Sequence, residues 1–127
     1  MISRYMKIIL TILIAFVAIQ HAAFLYLEMF LWTRDTGRRI FGNTKEQAEN
    51  TKVLAKNQGL YNGFLAAGLL WGMFHPTPEI GNQIVLFFLL CVMIAGIYGS
   101  ITAKRSILYI QALPAFITLI VLFFASA

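Results

Sequence analysis

Two ionisable side chains interrupt the first long apolar stretch of this chain. His21 and Glu28 lie seven residues apart in it, about two helical turns, so a helix would carry both on one face. An ionisable residue at membrane depth is costly, and it usually faces the helix bundle and has a partner there. We therefore expect a titratable centre that hydrogen-bonds a small ligand. Two plainer alternatives stay open: Glu28 pairs with Arg34 or Lys56 at the lipid headgroups, and His21 makes an inert hydrogen bond to a neighbouring helix.

Each predicted membrane span has one end next to a loop rich in lysine and arginine. Within the first turns from that end, the other spans also carry polar side chains, at a depth similar to that of Glu28 and His21. They are uncharged hydrogen-bonding groups, namely Asn57, Gln58, Tyr61, Asn62, Tyr98 and Gln111. Together with His21 and Glu28, they predict a polar ligand-binding pocket that is open to the cytoplasm and floored by apolar side chains. Taken singly, the amides are also typical of hydrogen bonds that hold membrane helices together, and the tyrosines of an interfacial aromatic belt.

The composition indicates that the elements carrying these residues are membrane helices. Of the 127 residues, 60% are hydrophobic and 12% charged, and the mean hydropathy is +0.78. A soluble domain has about half apolar and a quarter charged residues, so a soluble globular protein is excluded. We predict an all-α fold, a polytopic four-helix transmembrane bundle that forms one domain over residues 1–127. The predicted spans are about 6–32, 53–74, 84–102 and 107–124.

Two local patterns refine this prediction. Asn43 or Thr44 is a candidate N-cap, and Glu46 or Gln47 three residues later completes a capping box, so the second helix is expected to begin near Thr44, outside the membrane. Small residues recur at a four-residue spacing that lets helix backbones approach closely within or between subunits. These pairs are Gly59 with Gly63, Gly68 with Gly72, and Ala95 with Gly99.

The basic residues predict the orientation of the chain in the membrane. The loops at 33–52 and 103–106 hold most of the lysines and arginines, whereas the opposite side offers Arg4 and Lys7. The positive-inside rule therefore places both loops in the cytoplasm and both termini outside. The net charge of +5 is accordingly assigned to a membrane face, with the lipid bilayer and no nucleic acid as partner.

Sequence motifs identify no cofactor. The chain has no phosphate loop, no Cys-x-x-Cys and no His-Glu-x-x-His. His21, Glu28 and Cys91 are the plausible metal ligands within the spans, and their positions do not predict a metal site. The cofactor and any catalytic residues therefore stay unknown, and whether the protein is an enzyme is left open.

Four runs of sequence resemble a bacterial family of small membrane proteins that is catalogued only as a domain of unknown function. They are LEMFLW at 27–32, NQGLYNG at 57–63, AGIYG at 95–99 and QALP at 111–114. The resemblance covers nearly the whole chain and implies a bacterial inner-membrane location, but no activity.

The layout is also similar, more loosely, to the membrane-associated proteins of eicosanoid and glutathione metabolism. Lys52, Lys56 and Asn57 match the basic residues and the Asn of that family's second helix, and Tyr98 matches the Tyr of its third helix. Leu60 and Gly96 stand where that family carries Glu and Arg. The resemblance implies a homo-oligomer, namely a trimer, and a glutathione site near the cytoplasmic face.

Three functions follow from these observations. The first is binding or transport of a small amphiphile or metabolite in the polar pocket. The second is a glutathione-family transferase or reductase acting on a lipophilic substrate, with Tyr98 or Tyr61 polarising a thiol. The third is a structural subunit of a membrane complex, which explains the glycines but not the ionisable pair. The retained Asn57 and Tyr98 favour the second function, whereas the missing Glu and Arg favour the first, which we adopt.

Overall fold

The computed structural model describes residues 3–126, and every regular element among them is helical. The elements follow in the order α1 (Arg4–Phe30), α2 (Asp35–Phe41), α3 (Lys45–Met73), α4 (Pro78–Thr102), a π-helical segment (Leu108–Ala112) and α5 (Leu113–Ser126). The all-α prediction is confirmed. The predicted number of helices is wrong, because the loop at 33–52 contains the short helix α2 and the described chain has five α-helices instead of four.

Among residues 3–126, three helical stretches are long and apolar enough to cross a membrane. They are Arg4–Phe30, Pro78–Thr102 and Leu108–Ser126. Helix α3 has sufficient length, with 29 residues, but its N-terminal half is rich in charged and amide side chains. Length and composition thus support three of the four predicted spans, and the span at 53–74 stays a prediction.

The chain divides into two compact units. One consists of Ile19–Ala66, and the other consists of the described residues before and after that range. The first unit, called here the central unit, therefore contains the end of α1, all of α2 and most of α3. The second, called here the terminal unit, contains the start of α1, the end of α3, and α4 and α5.

Two helix caps define the connections in the central unit. Gly42 ends α2 in the left-handed conformation, with φ 70°, which a glycine adopts without strain. Helix α3 then begins with a reciprocal capping box: the Gln47 N–H donates to Thr44 Oγ1 (3.1 Å), and the Thr44 N–H donates to Gln47 Oε1 (2.9 Å). The prediction that this helix begins near Thr44 is confirmed.

Close backbone contacts organise the terminal unit. A Cβ added to Gly72 would lie 2.9 Å from the Gly81 carbonyl oxygen, and one added to Gly96 would lie 2.7 Å from the Ala112 nitrogen. The π-helical segment precedes Pro114, which has no N–H and whose ring would clash with the Ile110 carbonyl in a regular α-helix. The wider turn removes that conflict.

Large apolar side chains cover the outside of the helices. Ile12 on α1, Phe64 on α3, Phe87 on α4 and Phe123 on α5 are all more than half exposed. Many buried positions instead hold smaller residues, among them Ala18, Ala55 and Ala115. An apolar exterior is stable in lipid and is unfavourable in water, so the surface agrees with the membrane character expected from the composition.

Candidate ligand-binding site

The candidate site lies in the central unit, on the buried face of the second half of α1. His21 is fully buried and Glu28 is 8% exposed, so the seven-residue spacing does place both side chains on one covered stripe. The His21 ring packs edge-on against Phe24, with ring centroids 5.3 Å apart. The site thus starts from an imidazole and a carboxylate, both removed from solvent, on one helix face.

Helix α3 approaches this stripe at a glycine. A Cβ added to Gly59 would lie 3.1 Å from the Glu28 Cβ, 2.7 Å from the Met29 Cγ and 3.2 Å from the Leu25 carbonyl oxygen. One turn further along, a Cβ on Gly63 would overlap the Leu25 side chain. The predicted glycine pair therefore produces a close helix crossing within one chain, and this crossing brings α3 against Glu28.

The crossing forms a buried hydrogen bond between the two helices. Asn62 Nδ2 donates to Glu28 Oε1 at 2.5 Å, and Asn62 is only 5% exposed. The sequence offered Asn62 as one of four polar residues of α3 at the depth of Glu28, and the structure selects it. The alternative in which Glu28 pairs with Arg34 or Lys56 is wrong, because the ion pairs among the described residues join Arg38 to Asp35 and Lys52 to Glu49. A bond from an amide to a carboxyl group is of the strong, charge-assisted kind when the carboxyl group is ionised.

The other predicted site residues of α3 face outward. Asn57 and Gln58 are exposed, and Tyr61 is 57% exposed, with its ring 6.2 Å from that of Phe64. Of the four polar residues singled out on this helix, Asn62 is therefore the one on the buried face. A role of the other three in ligand binding stays a prediction.

The last two predicted site residues belong to the terminal unit. Tyr98 is 68% exposed on α4, which agrees with the alternative of an aromatic belt. Gln111 is half-buried within the π-helical segment. Their convergence with His21 and Glu28 in one pocket stays a prediction.

Two residues differ from the pattern of the glutathione family, and the structure explains one of them. Gly96 is buried, and a Cβ there would lie 2.7 Å from the Ala112 nitrogen and 2.8 Å from the Ala112 Cβ. An arginine side chain cannot be accommodated at so close a helix contact. Leu60, at the position of the family's Glu, is 40% exposed. The described residues also contain no group of three or more His, Cys, Asp or Glu side chains that could hold a metal ion.

The structure reveals polar residues that sequence reasoning missed. Glu79, Asn82 and Gln83 line a cleft in the terminal unit. They lie before residue 84, where the third span was predicted to start, whereas α4 begins at Pro78. Their i, i+3, i+4 spacing was the available signal, since it puts three polar groups on one helix face. A proline favours the first position of a helix, which was a second signal.

Two matches to known proteins each cover most of the chain. The family model described as "Protein of unknown function (DUF1304)" matches residues 15–123. The uncharacterized protein YpaA of Lactococcus lactis subsp. lactis (strain IL1403) is 35% identical over 121 residues, which are 94% of this chain and 100% of that protein. No solved structure matches the chain. The resemblance to a bacterial family of unknown function is thus confirmed.

Proposed function

We propose that this chain, which belongs to the DUF1304 family, is a polytopic membrane protein that binds a small amphiphile or metabolite at Glu28 and the polar groups beside it. The observation that supports the proposal is the buried hydrogen bond from Asn62 to Glu28, with His21 on the same helix face. Ionisable residues inside membrane helices are rare because they are expensive, and they usually mark ligand or ion sites.

The membrane setting of this proposal includes α3 as a fourth crossing. Its C-terminal half exposes the large apolar side chains Leu60, Phe64 and Trp71, whereas its N-terminal half starts at a capped, water-compatible end near Thr44. At about 1.5 Å per residue, the 29-residue helix is about 44 Å long, which allows it to cross the bilayer and project from it. The loops at 33–52 and 103–106 are then cytoplasmic and both termini are outside.

The chemistry of the site favours a ligand that donates hydrogen bonds. A carboxylate offers about four acceptor positions and no donor when it is ionised. Asn62 uses one of these positions on Oε1. A ligand amine or hydroxyl group would use another, and the low dielectric of the site would strengthen that contact relative to water. An apolar remainder of the ligand would suit the aliphatic surroundings in the membrane.

A structural role competes with this proposal on the same observation. Asn62 and Glu28 already satisfy each other, and polar pairs commonly hold membrane helices together. The two roles differ in what happens when both residues are replaced by apolar residues of similar volume. Removing both partners of a buried pair is often nearly neutral for stability. A Glu28→Met/Asn62→Leu protein should therefore fold in either case, but it should lose ligand only if the pair serves binding.

Native mass spectrometry of the gently purified protein tests the proposal. We expect a retained small molecule on the wild-type protein, loss of that molecule from Glu28→Gln and from the double apolar variant, and retention on Glu49→Gln. Glu49 is the control because it is an exposed carboxylate on α3, and the hydrogen bond and charge of Lys52 lower its pKa. A protein without any adduct, or one whose adduct survives Glu28→Gln, would refute the binding role.

The same spectra report the subunit number. We propose a homo-oligomer, with the trimer favoured by the glutathione-family layout. The exposed apolar faces of α4 and α5 are available for contacts between subunits, whereas Gly59 and Gly63 are already used within the chain.

A further inference from the structure

A cleft of 660 Å³ lies in the terminal unit, separate from the residues of the candidate site. Its walls come from the start of α1, the first turns of α4 and the last turns of α5. This volume is within the range of about 300–1,000 Å³ that is usual for small-molecule sites. The cleft is therefore large enough for a lipid headgroup and the first part of an acyl chain.

The polar lining contains one charge of each sign. Lys7 contributes an ammonium group from α1, and Glu79 contributes a carboxylate from the first turn of α4. Asn82 and Gln83 add amide groups, and Ser126 adds a hydroxyl group from the end of α5. Asn82 Nδ2 lies 3.5 Å from Ser126 Oγ, which places α4 and α5 side by side at this end of the cleft. Such a lining suits a headgroup that is itself both positive and negative.

The remaining lining is apolar and follows the polar part along the same helices. Leu86 lies about one turn beyond Asn82 on α4. Leu119, Leu122 and Phe123 lie one to two turns before Ser126 on α5. Both helices thus present polar groups at one end of the cleft and aliphatic or aromatic surface at the other. An amphiphile at a membrane interface has the same arrangement, with a polar headgroup at one end and an apolar chain at the other.

We propose that this cleft binds a phospholipid whose headgroup carries both a phosphate and a primary ammonium group. Lys7 contacts the phosphate, Glu79 accepts hydrogen bonds from the ammonium group, and the acyl chain lies along Leu119, Leu122 and Phe123. A primary ammonium group donates hydrogen bonds to a carboxylate, whereas a trimethylammonium group has no N–H to donate. A purely anionic headgroup would leave Glu79 facing like charge. The inference does not depend on the proposed function, since it uses none of the same residues.

The test compares three lipids with identical acyl chains on the full-length protein. Phosphatidylethanolamine, phosphatidylglycerol and phosphatidylcholine are each added to protein in a non-ionic detergent, and native mass spectrometry measures the retained fraction. We expect phosphatidylethanolamine to be retained about two- to five-fold better than either of the others, which is the scale of one partly exposed ion pair. Glu79→Gln should remove its advantage over phosphatidylglycerol. Lys7→Gln should lower the retention of all three, because each has a phosphate.

Two control variants match these changes. Arg4→Gln removes a cation about one turn earlier on α1, and Glu46→Gln removes the first-turn acid of α3, as Glu79 is the first-turn acid of α4. Both should leave lipid retention unchanged. Equal retention of the three lipids, or equal effects of the cleft and control variants, would overturn the proposal. So would competition by free phosphoethanolamine at the same concentration as the lipid, because the apolar wall would then contribute nothing.

Discussion

The hydrogen bond between Asn62 and Glu28 should be measurable as a coupling free energy. Hydrogen bonds between membrane helices average about 0.6 kcal/mol and reach about 1.7 kcal/mol. Both residues of this bond are buried, so we expect a value near the upper end. Removing one partner also strands the other, at a cost of about 1–3 kcal/mol. Asn62→Ala and Glu28→Ala should therefore each lower the free energy of unfolding by about 1–3 kcal/mol, and the double variant by less than the sum.

A double-mutant cycle in detergent micelles provides the assay. Unfolding is followed by circular dichroism as a denaturing detergent is titrated in, for the wild-type protein, both single variants and the double variant. Asn57→Ala and Glu49→Ala form a parallel control cycle, because both residues are exposed and belong to the same helix as Asn62. The control cycle should show no coupling.

The precision of double-mutant cycles sets the coupling free energy below which the prediction fails. Independent sites usually add to within about 0.3–0.5 kcal/mol. A coupling between Asn62 and Glu28 inside that margin would show that the hydrogen bond does not hold the two helices together. Single variants as mild as the control variants would also show that neither side chain is stranded by the loss of its partner, and the argument for a costly buried pair would then fail.

Four further predictions concern the topology, the helix start, the helix crossing and the chemistry. Alkaline phosphatase fused after the C-terminus should be active in a bacterial host and inactive when inserted into loop 33–52, because four crossings with that loop inside put the C-terminus outside; two inactive fusions would favour three crossings, and the opposite pattern would overturn the positive-inside assignment. Thr44→Ala should lower stability by about 1 kcal/mol in the same unfolding titration, and Thr77→Ala by less, since the Thr77 side chain makes no capping hydrogen bond. Gly63→Leu should lower the melting temperature and exposed Ala67→Leu should not; equal melting temperatures would contradict the close crossing. Purified protein should not conjugate glutathione to a generic electrophile, and turnover abolished by Tyr98→Phe would restore the enzyme hypothesis.

The helices that could be predicted from the sequence are those with a clear local signal. Apolar stretches of about 20 residues located α1, α4 and α5, and the capping box located the start of α3. Helix α2 was missed because a seven-residue helix in a charged loop has no hydropathy signal. It depends instead on Gly37, where any Cβ would collide with the Leu31 carbonyl group. Such a contact exists only once the chain has turned back on itself.

The sequence predicted the buried polar residues of α1 better than that of α3. The seven-residue spacing of His21 and Glu28 was sufficient, because two helical turns return to the same face. On α3 the sequence offered two pairs at a four-residue spacing, Asn57 with Tyr61 and Gln58 with Asn62, and gave no direct means to choose the buried residue. The pattern of small residues contained that information. Ala48, Ala55, Gly59, Asn62 and Ala66 repeat at intervals of three, four and seven, and all of them are buried.

Gly59 connects the packing of the central unit to its chemistry. Helix α3 can lie against α1 at this level because residue 59 has no Cβ to meet Met29 and Glu28. The Asn62 amide, one turn further on, reaches the Glu28 carboxylate at that separation of the helices. A methyl group at position 59 would lie 2.7 Å from the Met29 Cγ and 3.1 Å from the Glu28 Cβ, so the Met29 side chain would have to move and the contact with Glu28 would have to widen slightly. The small-residue spacing and the buried polar pair therefore belong together: the glycine lets α3 approach α1 closely at the level where Asn62 bonds to Glu28.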